Sequence, residues 1–154
     1  MLPFNVDQFF EVFRVYNDTV WPAQLILIGL ALAALWLAAR PSRWSSRCIA
    51  GILGLFWLWL GLVYHLAFFT TINPMAYAFS ALSAFGGLTF FWFGVFKRKL
   101  RFEVSRDAWG LLGLLLVVFG LLAYPAWSVL AGHRYPSFPT FGLPCPTTFF
   151  TVGM

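Results

Sequence analysis

The chain has 154 residues, of which 61% are hydrophobic, 21% aromatic and only 10% charged, with a formal net charge of +5. So few charged side chains cannot cover the core of a soluble domain of this length, which excludes an ordinary globular enzyme or soluble binding module. The positive balance does not point to nucleic acid either, because the basic residues gather in two short segments. Arg40, Arg43 and Arg47 form one, and Lys97, Arg98, Lys99, Arg101 and Arg106 the other.

Residues 1–20 lack the basic leader, continuous apolar stretch and small-residue cleavage site of a signal peptide, and carry Asp7, Glu11 and Asp18 instead. Asn5 followed by Gln8 has the spacing of a capping box, predicting a helix over residues 6–18. Val6, Phe9, Phe10, Phe13 and Tyr16 share one side of it, and Asp7, Gln8, Glu11, Arg14 and Asp18 the other. That pattern reads as an amphipathic helix lying along an interface or folding over the mouth of a bundle.

Four apolar runs follow, at residues 21–39, 48–69, 76–96 and 109–131, and none contains Asp, Glu, Lys or Arg. Uncharged runs of roughly 18 or more residues are long enough to cross the hydrocarbon core of a bilayer. The expected fold class is therefore all-α: a polytopic transmembrane helical bundle of four spanning helices plus the amphipathic interfacial helix. Trp21-Pro22 opens the first run, with Asp18 or Thr19 as its expected cap, and Arg40-Pro41 closes it. Asn73-Pro74 opens the third run in the same way. Small residues four apart, Ala50 with Gly54 and Ser80 with Ala84, predict close helix approach. Residues 132–154 form a tail rich in proline up to Pro146, expected to be extended and external. Its apolar ending at residues 147–154 resembles the first turns of a further helix, expected to stay interfacial, to meet a partner chain or to belong to a longer natural protein.

Short basic loops remain on the cytoplasmic side, which places residues 40–47 and 97–108 inside and the N-terminus and C-terminal tail outside. This orientation collects the chemically capable side chains in the outer half: Gln24, Tyr64, His65, Asn73, Tyr124, His133 and Cys145. Polar groups at membrane depth mark functional regions, so Tyr64, His65, Gln24, Asn73 and Tyr124 are the candidate ligand-binding residues. His65 lies among Trp57, Gly61, Tyr64 and Phe68 on one helical face. Thiolate and imidazole together suit a soft metal, which makes His65, His133 and Cys145 the candidate metal ligands. The bland readings are an interfacial histidine at 65, a solvated loop histidine at 133 and a proline-held thiol at 145. Cys48 lies at the opposite end of the second run, too far away to form a disulfide with Cys145.

Several patterns spread along the chain resemble an uncharacterised family of bacterial multi-spanning membrane proteins. They are Leu2-Pro3-Phe4 with Asp7 and Phe9-Phe10, Tyr16-Asn17, Trp21-Pro22, the segment from Arg40 to Trp44, Tyr64-His65 with Phe68-Phe69, Ile72-Asn73-Pro74 and the segment from Pro144 to Thr148. The resemblance implies a bacterial inner-membrane architecture, and members that continue for about two more helices, but no activity.

No metalloprotease motif, phosphate-binding glycine loop, nucleophile elbow or intramembrane carboxylate pair is present, so no catalytic residue is expected and the chain is not read as an enzyme. Two functions remain. The first is a structural or accessory subunit that packs with other membrane chains in the lipid bilayer, favoured because the apolar runs carry no charge. The second is a carrier or sensor of a small external ligand, a soft metal or a lipophilic cofactor, using His65 and Cys145. Nucleic acid is not an expected partner.

Overall fold

Asn5 opens the first helix, α1 (Val6–Val20), through a reciprocal capping box. Its side-chain oxygen accepts the Gln8 N–H at 2.8 Å, and the Gln8 side chain accepts the Asn5 N–H at 2.9 Å. One face of α1 buries Val12, Phe13, Tyr16 and Asn17, while Arg14 on the outer face pairs with Glu11 and Asp18. The computed structural model describes residues 3–154, so Leu2 of the family-like pattern lies outside the described residues. These form six helices and no strand.

The chain turns through 87° between α1 and α2 (Ala23–Ala39), across a cis Trp21-Pro22 bond. Neither expected cap serves α2. Asp18 faces Arg14, the Thr19 hydroxyl donates to the Val15 carbonyl at 2.7 Å, and Pro22 occupies the cap position without a side-chain bond. The right-angle turn explains this, since both side chains belong to the last turn of α1. Asn73 does serve its turn, accepting the Met75 N–H at 3.0 Å just before α4.

Among the described residues three helices are long and apolar enough to cross a membrane: α3 (Ser45–Thr71), α4 (Ala76–Phe96) and α5 (Ala108–Leu130). The bent pair α1 and α2 passes the same test only together, giving up to four. Alone, the 17 residues of α2 reach about 26 Å at about 1.5 Å per residue, slightly short of a ~30 Å hydrocarbon core.

Helix α3 is the centre of the bundle. Its contact with α4 is a seam of small residues, in which Gly94 meets Ala50, and a Cβ on Gly61 would lie 2.8 Å from the Ser80 carbonyl oxygen. Only glycine permits that approach. Residues 97–107 then cross beneath α2 and α3, held by the buried Phe102 ring and by its N–H, which donates to the Ser46 hydroxyl at 3.1 Å. This crossing carries α5 away from α4, so the long helices are not arranged as two equivalent hairpins.

The proline-rich tail is not extended to its end. From Pro144 it forms α6 (Pro144–Gly153), the further helix that its apolar ending resembles, which runs antiparallel along α5 and against α3. Thr147 and Phe150 are fully buried. Glycines on α5 make room for it: Gly120 lies against Pro146, and a Cβ on Gly113 would come within 2.6 Å of the Gly153 carbonyl oxygen. Trp57 of α3 donates to the Thr151 hydroxyl at 3.2 Å, fixing α6 from the other side.

Candidate functional site

The candidate residues lie at the end of the bundle that α1 covers, opposite the basic loops, and they divide into two groups. The first is structural. Asn17 is fully buried, and its amide donates to the carbonyls of Pro136 at 2.5 Å and Phe138 at 2.9 Å. Its oxygen accepts from Gln24 and from the Thr140 hydroxyl, each at 2.7 Å. Gln24 is therefore engaged in tying the proline-rich segment to α1 and α2, and does not face the cavity described below. Asn73 is occupied by its turn. His133 is no solvated loop residue: its ring stacks on Phe10 of α1 with centroids 3.9 Å apart.

The second group converges. Tyr64 and His65 of α3, Tyr124 of α5 and Cys145 of α6 line one partly open cavity of about 370 Å³. Phe9 and Phe13 of α1 border it, Ser83 contributes from α4 and Thr148 from α6. Tyr124 and Cys145 are direct neighbours. The walls are otherwise aromatic and aliphatic, the composition of a site for a mostly apolar ligand with a few fixed polar contacts.

His65 is the group for which the protein provides least. It is only 7% exposed, and its Nδ1 is sealed without any hydrogen-bond partner. Its ring is packed by Tyr64, Phe69 and Phe79, with centroids 5.2, 6.0 and 5.6 Å away. A buried lone pair costs less than a buried orphan N–H, so the neutral tautomer carries its proton on Nε2. That tautomer makes His65 a hydrogen-bond donor.

Residues 60–68 of α3 are wound as a π-helix, and residues 119–123, also π, end directly before Tyr124. The wider turn changes which side chains meet. Phe69, five residues beyond Tyr64, stacks on it at 5.6 Å, whereas Phe68 swings away to pack on Tyr16. Gly61 likewise faces α4. The aromatic face read at ordinary helical spacing thus keeps Trp57, Tyr64 and His65 but exchanges Gly61 and Phe68 for Leu60 and Phe69. π-Turns are rare and concentrate at functional sites.

The proposed metal trio does not assemble. His133 lies under α1 against Phe10, apart from the His65 and Cys145 cavity, and among the described residues no three His, Cys, Asp or Glu side chains converge as metal ligands. Sequence reading missed Phe9, Phe69, Phe79, Leu143 and Thr148 as wall residues. It also missed Asn17 and Thr140 as the staple of the proline-rich segment. Apolar residues in an apolar chain carry no distinguishing signal, but the isolated Asn17 beside Tyr16 does.

Residues 6–154 match a family of unknown function, DUF6064, and the chain belongs to that family. No curated protein and no solved structure matches it.

Proposed function

We propose, from membership of a family without an assigned activity, that this chain is a multi-pass membrane protein that holds a small lipophilic ligand in its partly open aromatic cavity. It sits in the plasma membrane of a bacterium, with residues 40–47 and 97–108 in the cytoplasm. Helix α1 and the proline-rich segment cap its external side. The observation that carries the ligand reading is the convergence of His65, Tyr64, Tyr124 and Cys145, from three helices, on one apolar cavity in which, among the described residues, no hydrogen bond engages the His65 ring. A molecule with an apolar body and a hydrogen-bond acceptor, such as a carbonyl or ether oxygen, suits the Nε2–H donor and the aromatic walls. The role is that of a carrier or sensor, not an enzyme.

The test is extraction. Protein purified in mild detergent is expected to retain a stoichiometric lipid-soluble molecule, detected by absorption and mass spectrometry, and His65→Phe is expected to lose it while remaining folded. Wild-type protein that carries no such molecule sinks the reading.

A second reading, an accessory subunit, draws support from α5. Only 11% of its most apolar window is buried inside the chain, and a groove of about 680 Å³ runs between it and α2. Stable co-purification with another membrane chain, without bound ligand, favours that role.

A further inference from the structure

The second cavity of interest is at the opposite end of the bundle. Four arginines, Arg43 before α3, Arg47 in its first turn, and Arg98 and Arg101 from the loop after α4, line a pocket of about 380 Å³ together with Ser42 and Ser46. Glu103 is the one acidic residue on its wall, and among the described residues no ion pair engages any of the four arginines. Trp44 holds three cations in place: Arg43, Arg47 and Arg98 stand 5.3, 5.4 and 5.9 Å from its ring. Arg98 adopts a left-handed backbone, φ 53°, which turns the second loop toward the first. The start of α3 adds the positive end of a 27-residue helix to the same pocket.

Topology alone does not require this. A basic loop fixes orientation by carrying charge anywhere along it, and repulsion favours spreading guanidiniums apart. Here two loops and the first turn of α3 bring them together around an open volume, three of them against one aromatic ring and none in an ion pair among the described residues. Planar guanidiniums match the oxygens of a phosphate through paired hydrogen bonds, and stacking preorganises them for it.

We infer that this pocket is a binding site for a phosphate group, carried by the headgroup of an anionic phospholipid or by a free phosphate compound. The inference does not depend on what fills the aromatic cavity.

The experiment reconstitutes the full chain in nanodiscs of phosphatidylcholine with and without phosphatidylglycerol, and reads the retained lipids by native mass spectrometry. In parallel it reads thermal stability against inorganic phosphate at constant ionic strength. A lipid site predicts preferential retention of phosphatidylglycerol with no response to phosphate, and a free-phosphate site predicts the reverse. In either arm the double variant R47Q/R98Q is expected to weaken binding at least roughly tenfold. K97Q/K99Q, which removes the same charge outside the pocket, is expected to leave it within about twofold. Should R47Q/R98Q fail to fold, R47K, which keeps the charge but loses the fork, is expected to weaken binding on its own. Equal losses in both double variants would reduce the effect to diffuse charge and overturn the inference. So would R47K binding as wild type does, or wild type responding to neither probe.

Discussion

At the end capped by α1, Asn17 is buried completely and uses its side chain in four hydrogen bonds. At the other end Arg43, Arg47, Arg98 and Arg101 surround an open pocket without ion pairs among the described residues. Both ends terminate the same helices, yet one satisfies its polar groups internally and the other leaves them available. A buried amide without partners is costly, so the capped end must be built as one connected unit. Exposed guanidiniums bear no such penalty and can be kept for a ligand. The aromatic cavity lies within the connected end, and the exceptions there are His65 Nδ1 and Thr147 Oγ1, buried atoms left without a partner among the described residues.

The sharpest way to break this contrast is Asn17→Ala. It strips the Pro136 and Phe138 carbonyls of a donor, removes the acceptor of the Thr140 hydroxyl, and leaves Gln24 only its longer 3.3 Å bond to that hydroxyl. The expected destabilisation is about 3–5 kcal/mol. It should appear as a lowered melting temperature in detergent and as early proteolysis within residues 132–143. Asn17→Asp is expected to do no better, because a carboxylate cannot donate to the two carbonyls.

Next in size is Gly142→Ala, which tests how tightly the proline-rich segment is seated. Gly142 has φ +103°, and a Cβ there would lie 2.7 Å from Leu27 Cδ1 and 2.9 Å from the Tyr16 hydroxyl oxygen. Backbone strain and overpacking together predict a loss of about 2–4 kcal/mol in thermal unfolding. That Tyr16 hydroxyl accepts from Trp59 at 2.8 Å, so the strain reaches α3 as well.

His65→Phe should behave in the opposite manner. Removing an unsatisfied buried nitrogen while keeping most of the ring volume predicts a stability within about 1 kcal/mol of wild type. A large loss would mean that His65 is structural, and the cavity would lose its claim to a ligand.

How much of this was legible beforehand depends on what each feature has for a signal. The helical character was, because long apolar runs bounded by Asn5, Arg40-Pro41 and Asn73-Pro74 leave the chain little else to form. Tyr64, His65 and Tyr124 could be named because polar residues are scarce in such runs, and Cys145 only as a metal candidate in the tail, so the four were not singled out as one set. Their convergence needed two facts that periodicity does not carry. The π-wound segment of α3 shifts the phase of its faces, and α6 folds back along α5 through contacts that single glycines permit. Gln24 and His133 were misplaced for the same reason, since Asn17 and Phe10, which engage them, sit on a helix whose docking no sequence spacing reveals.

The smallest effect sharpens the contrast from the basic end, where α5 begins without burial to support it. Asp107 caps that helix, accepting the Gly110 N–H at 2.9 Å. This bond, followed by one from the Ser105 hydroxyl, holds its carboxyl below the ordinary value of 3.8. The ionised form is the one that caps, so its contribution is fully present above the ordinary carboxylate range and is lost as pH falls through the lowered folded value. Hydrogen exchange in the first turn of α5 should therefore accelerate, relative to intrinsic rates, only in that acidic window, while amides of α1 and residues 132–143 stay protected. Asp107→Ala should show the same fraying at neutral pH. Protection at the start of α5 that ignores both acid and the substitution would mean this end is held by packing, and the two ends would no longer differ in kind.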